Sequence, residues 1–162
     1  MNSQNQGGCC NSLFTEFQFQ DLQSASPPDE KGVYVIRVKK EGCPVKKIIE
    51  IVKQLVQNLK WEFVENYILS RIDRLESITQ CPIIYIGSAG TQKGSKNTLK
   101  GRYKEFSTRH TAMYPIWALL YFGWELEFGW KEEKNYPKNI ETQLKQKYKE
   151  KHENKLPALV KK

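Results

Sequence analysis

Gly32-Val-Tyr-Val-Ile-Arg-Val38 reads as a β-strand, and the fold follows from it. β-branched and aromatic residues favour a pleated, packed surface. Alternation places Tyr34, Ile36 and Val38 on one face and Val33, Val35 and Arg37 on the other. A second run of the same kind, Pro82-Ile-Ile-Tyr-Ile-Gly87, reads as its partner. Pairing of the two would bring Tyr34 and Tyr85 onto one small sheet. The third strand is the clearest alternation in the chain: Trp124, Leu126, Phe128 and Trp130 point one way, and Glu125, Glu127 and Lys131 the other.

Helical spacing fills the intervals. Between Val45 and Ile78 the apolar residues Ile48, Val52, Leu55, Leu59, Val64, Ile68, Ile72 and Leu75 recur every three or four positions. This predicts one long helix, or two broken near Asn58, inserted between strands one and two. After a glycine- and lysine-containing loop over 87–97, Thr98 caps a helix expected to run to about His110, with Leu99, Tyr103 and Phe106 inward. A further helix starts near Pro115 and stops at Gly123. The last begins near Pro137, buries Ile140, Leu144 and Tyr148, and ends before Leu156-Pro157. The expected fold is α+β: a small, three-stranded, mostly antiparallel sheet flanked by helices, with a helical insertion over about 45–78. Residues 31–162 form one domain. Residues 1–30 form a partly disordered lead-in, with Leu13 to Leu22 packing on it as an extended segment.

Composition narrows the function classes. The 162 residues are enough for one core, and the net charge of +8 favours a polyanionic partner, nucleic acid above all. No apolar run approaches the ~20 residues of a membrane span, and Met1 to Ser12 lacks the pattern of a signal peptide. No membrane partner and a cytoplasmic location are therefore expected. The four cysteines form no C-x-x-C pair, so structural zinc is not expected, and Cys9-Cys10 reads as a reduced pair in an unstructured tail. Gly87, Gly90 and Gly94 do not make a nucleotide P-loop, because the Gly-Lys-Ser/Thr ending is missing.

Gly32-Val33-Tyr34 followed by Tyr85-Ile86-Gly87 resembles the paired signature of the GIY-YIG nucleases, with Val in place of the first Ile. The order continues beyond the signature. Leu99-Lys-Gly-Arg102-Tyr-Lys-Glu-Phe106 is similar to the family's Arg-bearing helix. Ile140-Glu141-Thr-Gln-Leu144 is similar to the helix start that carries its metal-binding Glu, at an interval close to the usual one. Leu156-Pro157 matches a turn that many members share. The likeness runs from Lys31 to Leu159. The chain departs from the pattern where some members carry a His one turn after the Arg (Phe106 here), in the Asn expected after the Leu-Pro turn, and in the helical insertion where members have a short hairpin.

The resemblance implies a metal-dependent endonuclease that hydrolyses DNA phosphodiester bonds, of restriction, phage or mobile-element type. It implies Tyr34, Tyr85, Arg102 and Glu141 as catalytic residues, and one Mg²⁺ or Mn²⁺ held by Glu141. The residue types suit that chemistry. A guanidinium can fork onto a phosphate, and one carboxylate plus waters suits Mg²⁺. A phenol beside cations can orient or deprotonate water, with Tyr34 in that part and Tyr85 bonded to the same water or a phosphate oxygen. Glu141 is expected in the first turn of its helix, where the dipole favours a carboxylate. Taken singly, the tyrosines are ordinary strand residues, Arg102 a surface cation and Glu141 a helix-start stabiliser; their joint order points to a site. Lys93, Lys96, Lys100, Lys104 and Arg109 form a basic stretch that reads as a DNA-backbone surface or a solvated loop. His110 is a site residue or a packed helix-end histidine, and Asn154 a candidate phosphate or outer ligand. The alternatives are a catalytically silent nucleic-acid-binding module of the same fold, a repair nuclease, or a protein that self-associates through Ile48, Val52 and Leu55.

Overall fold

The computed structural model describes residues 10–57, 68–90, 97–108, 110 and 112–160. Among these residues four strands form one sheet, β1 (Gln18–Asp21), β2 (Gly32–Lys40), β3 (Ile83–Ala89) and β4 (Glu125–Glu132), in the order β1-β4-β2-β3. Every neighbouring pair is antiparallel. The α-helices are α1 (Val45–Gln57), the short α2 (Ser70–Ile72), α3 (Leu99–Glu105), α4 (Met113–Tyr121) and α5 (Pro137–Lys151).

Two points of the sequence reading are corrected. The sheet has four strands, not three, because Gln18–Asp21 pairs with β4, Phe19 opposite Gly129. With β1 counted, the helical insertion follows the second strand and leads into the third, instead of joining the first to the second. The physical reason lies on one side of β4. A Cβ at Gly129 would meet the Phe19 ring at 2.4 Å, so the missing side chain leaves the place that ring fills. The Arg37 guanidinium lies 3.4 Å above the Phe19 centroid and its Nε donates to Glu127 at 2.6 Å, so three strands are tied together.

β2 is central and explains its own sequence. Val33, Tyr34, Val35 and Ile36 are all buried, because both sheet faces are covered. On one face Tyr34, Ile36, Leu126, Phe128 and Trp130 pack under Ile48 and Ile49 of α1, Ile72, Leu75, and Leu99, Ile116 and Leu119 from α3 and α4. On the other, Val33, Val35, Ile83 and Ile86 pack against Leu144 and Tyr148 of α5 and against Cys10 and Phe14. Cys10 therefore belongs to a core and not to a tail.

The insertion is an excursion that leaves strand pairing intact. Arg37 pairs with Ile83, and Val38 N–H donates to the Pro82 carbonyl at 2.8 Å, so the chain returns to the point it left. Ile48 is turned into the core and Val52 is half-buried, which leaves Leu55 exposed among the three residues expected to drive self-association. Leu59 and Val64 lie outside the described residues. Among the described residues no helix is long and apolar enough to cross a membrane.

Candidate active site

Register places the two phenols together. Tyr34 pairs with Gly87 and Ile36 with Tyr85, so the tyrosines are diagonal neighbours on one face. Their rings stack at 5.8 Å with a 14° interplanar angle. Phe128 stacks on the other side of Tyr34 at 5.4 Å, and Phe106 of the segment after α3 meets both tyrosines edge-on. Gly87 is required by this packing: a Cβ there would fall 2.5 Å from Tyr34 Cζ and 2.6 Å from its hydroxyl.

A directed hydrogen-bond chain ends on Tyr85. The Ala112 N–H donates to His110 Nδ1 at 3.0 Å, which assigns the imidazole proton to Nε2. Nε2–H then donates to Tyr85 Oη at 3.2 Å. The Tyr34 hydroxyl is coupled to the Tyr85 hydroxyl, which pushes the Tyr34 pKa up and opposes the rise at Tyr85. Burial lowers the His110 pKa to about 4, with Arg102 and Arg71 adding to the fall and Glu105 opposing it, so the ring is neutral. Burial raises both phenols, Tyr34 furthest, and the Glu141 charge raises both again, whereas Arg102 lowers them. Both are neutral at ordinary pH.

Arg102 is placed by a well-capped helix. Thr98 Oγ1 accepts from the Gly101 N–H at 3.2 Å and its hydroxyl donates to Asp29 at 2.6 Å. α3 ends at Glu105, earlier than the sequence predicts. The Arg102 Nη1 donates to Glu105 at 2.8 Å, while Nε is buried with no hydrogen-bond partner among the described residues. The guanidinium acts electrostatically on both phenols.

Glu141 approaches from the other face of the sheet. It lies one residue beyond the first turn of α5, which holds no acidic residue, so the dipole argument for its placement is corrected. Side chains fix its charge instead. Ser88 donates to Oε2, and Lys138 and Lys145 donate to Oε1 at 3.1 and 2.5 Å. Burial pushes its pKa up, but Lys145, Ser88 and Lys138 together bring it below the carboxylate norm. Because Ser88 follows Gly87, Glu141 and Tyr34 meet the same end of β3 from opposite faces. The structure thus brings Tyr34, Tyr85, Arg102, Glu141 and His110 into one electrostatic neighbourhood.

The remaining expected residues lie apart. Lys100 and Lys104 are exposed on α3, and Lys93, Lys96 and Arg109 lie outside the described residues. Asn154 is exposed with φ 63°, and its N–H closes the end of α5 on the Lys149 carbonyl at 3.0 Å, about 15 Å of helix from Glu141. Sequence reasoning missed Ser88, Lys138 and Lys145. The two lysines were readable as i−3 and i+4 helix neighbours of Glu141. The serine was readable only by strand alternation, once its face was known to meet α5.

The donor set around Glu141 fits a hard divalent ion. Its ligand atoms are the carboxylate and the Ser88 hydroxyl oxygens, the type Mg²⁺ prefers, with Lys138 and Lys145 on Oε1 in place of an ion. Lys138, whose side chain is 59% exposed, is the partner free to swing aside. Comparison with models of protein families, with curated proteins and with solved structures found no match.

Proposed function

We propose that the chain is a metal-dependent endonuclease that hydrolyses DNA phosphodiester bonds. One observation carries this reading: the stacked Tyr34–Tyr85 pair has Arg102, whose Nε has no hydrogen-bond partner among the described residues, and the buried Glu141 carboxylate as electrostatic neighbours. The surplus of eight positive charges and the exposed Lys100 and Lys104 suit a polyanionic substrate.

Hydrolysis adds a water oxygen to phosphorus, breaks a phosphorus–oxygen bond, and moves one proton from the water to the leaving oxygen or to a base. Arg102 supplies its guanidinium edge to the non-bridging oxygens, where charge accumulates. Tyr85 Oη accepts from His110, and burial raises its pKa less than that of Tyr34, so it is the phenol oxygen better able to bear negative charge. Tyr34, stacked on Tyr85 and the more deeply buried of the two, positions Tyr85; the water-activating part passes from Tyr34 to Tyr85. Glu141 and Ser88 would hold the ion, with Lys138 and Lys145 displaced from Glu141 Oε1. A bound Mg²⁺ supplies charge neutralisation at the phosphate and a more acidic water.

A silent DNA-binding module is the second reading. It is favoured by the two lysines already on Glu141 Oε1, which neutralise the carboxylate without any ion. Supercoiled plasmid incubated with Mg²⁺ separates the two. Wild type is expected to nick it, and Glu141→Ala and Tyr85→Phe to lose about a hundredfold or more while still retarding DNA in a gel. DNA binding without Mg²⁺-dependent nicking by wild type would sink the nuclease reading and leave the module.

A further inference from the structure

A second cluster lies at the opposite end of α5. Cys10 precedes the 3-10 turn Asn11–Leu13, Cys81 stands just before β3, and His152 caps the C-terminus of α5. The two sulfurs are 3.7 Å apart, and one ligand atom from each of the three residues lies within 4.8 Å of the others. Cys10 and Cys81 are 0% and 6% exposed, and His152 is half-exposed.

We propose that Cys10 Sγ, Cys81 Sγ and His152 Nε2 form a zinc site that clamps the segment leading into the 3-10 turn Asn11–Leu13 and the end of α5 to the segment entering β3. Three features carry this. Two thiolates at about 2.3 Å from a tetrahedral ion lie about 3.8 Å apart, close to the spacing found and far beyond the ~2.0 Å of a disulfide. His152 Nδ1 is 2.7 Å from the Tyr148 carbonyl oxygen, so Nδ1–H donates there and the lone pair falls on Nε2. This is the outer hydrogen bond that metal-bound histidines usually make. The ring is further fixed by stacking on Tyr148 at 3.8 Å and 13°. The donors are two sulfurs and an imidazole, a set that takes Zn²⁺ and not Mg²⁺. On binding, each thiol releases its proton to solvent, and the two thiolates balance the ion's charge. Three protein ligands leave a fourth position for water or an outside donor. The absence of a C-x-x-C pair hides the site from the sequence, because its ligands come from three distant segments. The clamp does not depend on the nuclease reading.

The test uses the full chain, reduced and stripped of metal. Titration with Co²⁺ is expected to give tetrahedral visible bands and a thiolate charge-transfer band saturating at one equivalent, both removed by Zn²⁺. Zn²⁺ at a thousand times its Kd is expected to raise Tm by roughly 8 °C or more. Cys81→Ser and His152→Ala are expected to lose both effects. Cys43→Ser is expected to keep them, since Cys43 packs in the other core. Wild type without cobalt bands, or variants at positions 81 and 152 that bind as wild type does, would overturn the proposal. So would a Cys10–Cys81 disulfide peptide recovered quantitatively from protein purified without reductant. The wild-type titration decides even where a variant fails to fold.

Discussion

Gly87→Ala tests the geometry on which the candidate site depends. An added Cβ falls 2.5 Å from Tyr34 Cζ, 2.6 Å from Tyr34 Oη and 2.9 Å from Tyr85 Cε1. Carbon atoms in good contact lie about 3.5–4.0 Å apart, so the rings must retreat by about 1 Å. They have nowhere to go. Tyr34 is 2% exposed, with Phe128 stacked on it at 5.4 Å and Phe106 edge-on at 5.9 Å. Overpacking a core costs about 1–3 kcal/mol, and stiff rings on both sides place this case near the top of that range. For a chain of this length, each kcal/mol lowers Tm by about 2–4 °C, so a fall of about 6–12 °C is expected by circular dichroism. The near-ultraviolet tyrosine signal should change with it. A double-mutant cycle isolates the cause. Tyr34→Leu removes the ring, and in that background Gly87→Ala should cost under about 1 kcal/mol, a coupling of about 2 kcal/mol. A Gly87→Ala protein with wild-type Tm refutes the reasoning. So does a cost that persists unchanged beside Tyr34→Leu, because the ring would then not lie over Gly87.

Other expectations follow from the same contacts. Glu141 has a pKa below its ordinary value of 4.5, so its contribution to stability is full above that value and is lost as pH falls through the folded one. Glu141→Gln should cost about 2 kcal/mol at neutral pH, with the gap from wild type closing in urea titrations as pH falls below the ordinary value of 4.5; no gap at neutral pH would contradict the ion-pair role. His110 is depressed from 6.5 to about 4, so wild-type stability should fall as pH drops from 6.5 towards 4 and level off below. Solvent screening limits this term to about 2 kcal/mol, and in His110→Gln that part of the slope should vanish. Arg102→Lys should lower plasmid nicking about a hundredfold while moving stability by less than about 1 kcal/mol, since lysine cannot form the planar fork; near wild-type nicking would remove Arg102 from the site. Phe19→Ala should cost about 2 kcal/mol and expose the β1 amides to hydrogen exchange; retained protection would show that Phe19 does not hold the edge strand.

Local pattern made several elements readable. Pro137 marked the start of α5, Thr98 the cap of α3, and the alternation around Leu126 and Phe128 the face of β4. The faces of β2 were also readable, because alternation alone assigns them. β1 was not. Its four residues, Gln18–Asp21, are mostly exposed, and their strand state comes from pairing with β4 more than a hundred positions away. The end of α3 was overrun because Phe106 continues the helical spacing, while its ring serves the tyrosine pair after the helix has stopped.

The sequence by itself determined that Tyr34 and Tyr85 lie in strands and that Arg102 and Glu141 follow on helices, since strand and helix periods are local properties. Only the tertiary structure decided what each group touches. The Tyr34 ring crosses Gly87 because register, set by the whole β2–β3 ladder, places them opposite. Glu141 takes its charge balance from Ser88 and two lysines because α5 packs on the face of β3 opposite the tyrosines. Cys10, Cys81 and His152 meet because three chain segments converge at the end of α5. Contacts between distant residues are fixed by packing of whole elements, and no short window of sequence contains them.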